Sequence, residues 1–254
     1  MPSSLPRQQN RHTPATLARL PCLLLGLLTA SGASLAEPPP PPAPLRPIVL
    51  DAGWEAQAEM LPAVDRSGWR QHGLGSSPVE AFRLGPYAVH DVRRSAVSTE
   101  GFTLGPFGRT TERWDLSFRF EAATAWDGNC DSRRRSSLTS RLGLLPDAVT
   151  TLRCRCTGGS QEAELSLSDE WRPAHGELRI DGQVLQMQIQ DVRGHEIHLA
   201  SPAPAFLVSD ASGAQVAALE TLHPGRAWRS PSLEPGAGEA LACLFAGVLL
   251  RYPD

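Results

Sequence analysis

Eleven consecutive residues near the end of the chain, Ala240–Leu250, carry no charged or hydrogen-bonding polar side chain. Alanine and leucine dominate the run, which favours helix. Glu239 stands before it and Arg251 after it, charges that complement a helix dipole, and Pro253 stops it. A helix with no polar face has to be surrounded on every side. This one is too short to cross a bilayer, which takes ~20 residues. The rest of the chain therefore has to build an enclosure.

The preceding sequence reads as strands. In Trp114–Glu121, Trp114, Leu116, Phe118 and Phe120 point one way and Asp115, Ser117, Arg119 and Glu121 the other, the period of two of a half-buried strand. Gly176–Gln190 contains Asp181-Gly182, a preferred two-residue hairpin turn. Closing on that turn pairs Ile180 with Gln183 and Leu178 with Leu185, and gathers Leu178, Ile180, Leu185, Met187 and Ile189 on one face. Further strands are predicted at Glu162–Ser168, Glu196–Ala200, Ala205–Ser209, Ala214–Leu222 and Ala227–Arg229. Phe82-Arg-Leu-Gly-Pro-Tyr87 recurs as Phe102-Thr-Leu-Gly-Pro-Phe107, which predicts two similar strand-to-turn corners. Residues 46–78 read as an irregular lead-in with one short strand at Ile48–Leu50, and Asp131–Ala148 as a long polar loop.

About a dozen short strands plus one wholly apolar helix predict a mainly β chain. The expected form is an antiparallel barrel or curled sheet around the C-terminal helix, with a β-sandwich as the alternative. The late hairpin strands, Phe206–Gly213, Ala214–Leu222 and the apolar Ala240–Leu250 give this layout a resemblance to the tubby C-terminal-like superfamily. That resemblance implies a closed antiparallel barrel holding a hydrophobic helix from the end of the chain, and it transfers no site residue. The chain also resembles uncharacterised exported proteins of GC-rich proteobacteria.

The other end of the chain addresses compartment. Arg7, Arg11 and Arg19 precede the apolar stretch that begins at Leu20, and small residues close it at Ser34-Leu-Ala36. This is the pattern of a secretory signal peptide cleaved between Ala36 and Glu37. Cys22 opens the apolar stretch instead of following it, so a lipid-anchored cysteine is not expected. Prolines then dominate the next residues, an extended spacer that buries nothing. The expected organisation is a signal peptide at 1–36, a Pro-rich linker at 37–47 and a single β-rich domain at 48–254. The expected location is periplasmic or secreted.

Composition removes several chemistries. Every basic residue is arginine, which excludes Schiff-base lysines, phosphate-loop lysines and Ser-x-x-Lys centres. After cleavage, 21 arginines face 27 acids, a net charge of −6, which argues against nucleic acid as a partner. The nucleophile elbow Gly-x-Ser-x-Gly, the dinucleotide fingerprint and His-Glu-x-x-His are all missing from the sequence. In Gly194-His-Glu-Ile-His198 the two histidines are three apart and fall on opposite faces of a strand, so they cannot chelate together. Asp191 and Glu196 give no defensible carboxylate pair. No catalytic residue, metal site or cofactor is assigned.

Cys130, Cys154, Cys156 and Cys243 remain in the mature chain, an even number suited to disulfides in an exported protein. Cys154 and Cys156 share one face of a strand, where a bridge between them would be strained. Cys130 is therefore expected to bond one of the two, leaving Cys243 as a buried thiol in the helix. A zinc reading of Cys154-x-Cys156 lacks a second ligand pair. Arg133, Arg134 and Arg135 are the candidate anion contact, for envelope lipid or lipopolysaccharide, although such a run ordinarily marks a solvated loop.

The function expected is that of a non-enzymatic envelope protein, structural or ligand-binding, with an envelope lipid or protein as partner. A hydrolase whose catalytic residues converge only in the fold is the alternative, and peripheral binding of anionic lipid is a third. A pocket holding a histidine near a serine or carboxylate would favour the hydrolase.

Overall fold

The computed structural model describes residues 48, 50–66, 69–72, 75–78, 81–95, 97–104, 107–137, 149–170, 174–190, 199 and 204–252. The predicted signal peptide, its cleavage site at Ala36–Glu37 and the linker lie outside these, as do Asp191, His195, Glu196 and His198. The chain runs through α1 (Ala52–Glu55), β1 (Glu59–Val64), β2 (Trp69–His72), β3 (Gly75–Pro78), β4 (Phe82–Leu84), β5 (Tyr87–Arg94), β6 (Ser98–Leu104), β7 (Phe107–Glu121) and β8 (Ala125–Ser137). It continues through β9 (Val149–Gly158), β10 (Gln161–Ser168), β11 (His175–Ile180), β12 (Gln183–Gln190), β13 (Ala205–Ser209), β14 (Gln215–Glu220), β15 (Arg226–Arg229) and the helix α2 (Pro235–Arg251).

Twelve of these strands close an antiparallel barrel in the order β5-β4-β1-β15-β14-β13-β12-β11-β10-β9-β8-β7, with β5 pairing β7 to complete the ring. The long strand β7 makes the closure. Residues 116–121 pair with β5, while residues 107–113 pair with β6, the one extra strand of the sheet. β2 and β3 form a separate hairpin. The hairpin β11–β12 has the predicted register, Ile180 opposite Gln183 and Leu178 opposite Leu185. Asp181 and Gly182 both adopt positive φ (48° and 83°), as a type I′ turn requires. The two recurring hexapeptides each close a tight corner, pairing Leu84 with Tyr87 and Leu104 with Phe107.

The lead-in and the polar loop differ from expectation. Ile48 and Leu50 are not in a strand. Ile48 instead packs, with Leu50, Trp54 and Ala58, on Ala205, Leu207, Ala218 and Trp228 of the outer wall. Glu59–Val64 is a barrel strand between β4 and β15. The stretch read as a loop from Asp131 is strand as far as Ser137, paired with β7 throughout and with β9 as far as Arg135.

The helix α2 lies inside the barrel, starting five residues earlier than its apolar run, at Pro235, a favoured first-turn residue. Every residue from Ala240 to Leu250 is buried, with Leu244 0% and Phe245 1% exposed. Small residues on the wall make room. Gly128 faces the Phe118 ring so closely that a Cβ there would sit 2.2 Å from it, and a Cβ on Gly247 of the helix would sit 2.6 Å from Cys130 Sγ. The helix is also tied at both ends. Glu239 accepts from the Ala123 and Thr124 amides and from Trp126 Nε1 (3.3, 3.3 and 3.4 Å). At the other end the buried Arg66 donates to Leu249 O (3.3 Å) and to Tyr252 O, occupying orphan carbonyls of the last turn. No helix among the described residues is long and apolar enough to cross a membrane.

Two disulfides join these parts. Cys130 and Cys154 stand directly opposite each other on β8 and β9 and are bonded. Cys156, two residues on and facing the same interior, bonds Cys243 of the helix. Cys243 is thus not the free thiol expected from sequence. The enclosed helix brings it to the wall, a long-range contact that spacing along the chain does not contain. Both members of Cys154-x-Cys156 are taken up by disulfides, which removes them from any metal role. Two disulfides indicate an oxidising, extracytoplasmic environment.

Candidate functional site

Among the described residues, space for a ligand opens on the outer wall of the helix-filled barrel. A groove of about 1120 Å³ crosses β5 and β7–β12 there. Seven strands at ~4.8 Å spacing make it roughly 29 Å long. Period-two alternation builds it, because the residues facing away from the helix on each strand are polar.

Strand register sorts those residues into two rows. One row runs Arg93, Ser117, Asn129, Arg155, Glu164, Arg179 from β5 to β11. The other runs Asp115, Asp131, Arg153, Ser166, Glu177, Gln186 from β7 to β12. On the β10–β11 side the charges satisfy each other. Arg155 Nε lies 3.0 Å from Glu162 Oε1 and also bonds Glu164, while Arg179 Nε lies 2.6 Å from Glu177 Oε1. The Glu164 hydrogen bond, with the charge of Glu162, pushes Arg155 above its ordinary pKa. Exposed pairs of this kind add little to stability.

The β5–β8 side is different. Asp115 and Asp131 are directly opposite in register, a like-charge pair that a sheet disfavours. Arg153 lies opposite Asp131 on the next strand. Arg94, at the end of β5, is half-buried, its Nε has no hydrogen-bond partner, and burial lowers its pKa. Among the described residues, Arg93, Arg94 and Arg153 form no ion pair. This end of the groove therefore holds uncommitted charges of both signs.

Of the residues singled out in the sequence, Arg133, Arg134 and Arg135 lie on β8 rather than in a loop, and the strand divides them. Arg133, opposite Arg113, and Arg135, opposite Thr111, continue the outward series of Asn129 and Asp131. Arg134 has the parity of Cys130 and Ser132, which face inward. All three are exposed. Sequence reasoning missed the groove because its members are single polar residues on seven strands, brought together only by register. It also missed that Ser168 and His175 stand directly opposite each other at the groove's rim.

Compared with known proteins, the chain matches no family model, no curated protein and no solved structure.

Proposed function

We propose that this is a non-enzymatic, extracytoplasmic binding protein of the cell envelope whose ligand lies in the outer groove. The observation that carries the reading is the groove's combination of length and uncommitted charge at Arg93, Arg94, Arg153, Asp115 and Asp131. Charged, amide and hydroxyl side chains line it, together with Leu116 and Leu165. That lining suits an elongated, hydrated ligand presenting charges of both signs, such as an exposed polypeptide segment of an envelope protein. The two disulfides support an envelope location. A closed barrel around a C-terminal helix also supports a distant tubby-like ancestry, although fold of itself carries no function.

The test places a photocrosslinking amino acid at Gln186 in the groove and, separately, at Arg83 on the exposed side of β4 in the exporting host. A discrete adduct is expected from position 186 only, and Arg93→Glu with Arg153→Glu should abolish it. Equal adducts from both positions, or an adduct indifferent to the two charge reversals, would refute the groove as the binding face.

One observation favours the hydrolase reading. Ser168 and His175 are cross-strand neighbours in the groove, the residue types of a nucleophile and its base on adjacent strands. Ser168 Oγ, however, accepts from the Glu170 amide at 3.2 Å. A fluorophosphonate probe is expected to leave Ser168 unlabelled. Stoichiometric labelling lost in His175→Ala would replace the binding reading with an enzymatic one.

A further inference from the structure

Beyond the charged end of the groove, the outer faces of β7 and β8 carry arginines that the groove itself does not use. We infer, on the reading of the groove as a site for polypeptide, that its ligand carries an acidic run, and that this run docks on an outward stripe of Arg109, Arg113, Arg133 and Arg135 ending beside Arg153 in the groove.

Register builds the stripe. Past Asp115 and Asp131 the outward positions continue as Arg113 opposite Arg133, Thr111 opposite Arg135 and Arg109 opposite Ser137. On β9, Arg153 stands opposite Asp131, two residues along β8 from Arg133. All five arginines are exposed. With steps of ~7 Å for every second residue and ~4.8 Å between strands, Arg109 to Arg153 spans roughly 22 Å, about the length of six or seven extended residues. Arg134 has the other parity and lies opposite Glu112, so it stands outside the stripe.

Charge then selects the occupant. Arg113 directly opposite Arg133 is a like-charge pair, which destabilises a sheet. Arg113 has Glu100 Oε2 at 3.8 Å, while among the described residues Arg109, Arg133 and Arg135 form no ion pair. The clustering works against the sheet and is left without an internal counter-charge. Acids border it on both sides. Glu100 lies opposite Thr111 on the β6 side, and Asp115 and Asp131 lie at the groove. A broad anionic surface laid over the stripe would press on these carboxylates as well. A single extended chain is narrow enough to follow the arginines between them. A uniformly anionic polymer running on into the groove would meet Asp115 and Asp131, whereas a polypeptide can change charge along its length. Asp and Glu side chains also accept the two-pronged hydrogen bonding of a guanidinium.

Fluorescence anisotropy of fluorescein-labelled hexaglutamate, titrated with the purified protein, tests the inference. Saturable binding is expected at low salt, weakening as sodium chloride screens the charges. Arg133→Glu combined with Arg135→Glu should weaken it about tenfold or more, and Arg83→Glu should leave it unchanged. Both reversed positions are exposed, and a carboxylate opposite Arg113 replaces a repulsion by an attraction, so the double variant should fold. Matching circular dichroism spectra and urea midpoints check this. Equal binding of hexalysine, binding that survives the double reversal, or no binding of hexaglutamate would overturn the inference. So would phosphatidylglycerol vesicles that bind the parent more tightly than hexaglutamate and release the double variant, since the stripe would then be a lipid contact. None of these results bears on the groove, whose crosslinking at Gln186 depends on Arg93 and Arg153.

Discussion

Phe245→Asp is expected to abolish cooperative folding. Phe245 is 1% exposed on a helix in contact with β7–β11 and β15, so no rotation of α2 brings position 245 to water. Deleting a buried Phe side chain costs about 3–5 kcal/mol by itself. An unpaired carboxylate adds a desolvation cost of several kcal/mol more. Together these approach the whole stability of an ordinary domain, roughly 5–15 kcal/mol. In urea titration the variant should lose the near-ultraviolet circular dichroism transition altogether. Truncation before Glu239 should act in the same way, because the barrel would lose its filling. A soluble truncated chain that melts cooperatively would show that the helix is peripheral.

Arg66→Met is expected to destabilise the protein by about 3–5 kcal/mol, because it strips the donor from several buried carbonyls, each of which costs about 1–3 kcal/mol when left unsatisfied. Arg66 is 3% exposed and donates to Thr221 O and Pro224 O, each at 3.0 Å, as well as to Leu249 O and Tyr252 O. One guanidinium thus joins the β14–β15 connection to the end of the enclosed helix. Methionine fills similar space but leaves these carbonyls without their donor in a site closed to water. Arg66→Lys should recover only part of the loss, since an ammonium has three donors and no planar fork. A lower urea midpoint at an unchanged slope is the expected signature. A shift below about 1 kcal/mol would show that water replaces the guanidinium.

The parts of this fold that can be read from sequence are those where local signals agree. Asp181-Gly182 sets a turn and the flanking period of two sets a register, and each requires the other. The apolar run of α2 needs an enclosure whatever surrounds it. β1 was hidden because only Leu61 and Ala63 of its six residues are fully buried, and Pro62 interrupts the run as it would in a non-strand. β8 was hidden for a related reason. Gly128, Cys130 and Ser132 on its inner face are small because the Phe118 ring and the helix press against that wall. The alternation is therefore one of size and burial rather than hydropathy, and Arg133–Arg135 dominates the pattern. Arg66, Cys243 and the rows of the groove depend on contacts across most of the chain, and nothing in their local sequence specifies a partner.

The enclosed helix is tested most directly by disulfide mapping of the non-reduced protein. Trypsin cleaves after Arg153 and after Arg155, so Cys154 and Cys156 leave on separate peptides and their partners can be told apart by mass. The expected products join the Cys130 peptide to Cys154 and the Cys156 peptide to that of Cys243. A free thiol at Cys243, or a Cys130–Cys156 bridge, would contradict a helix held against the inner wall of the barrel.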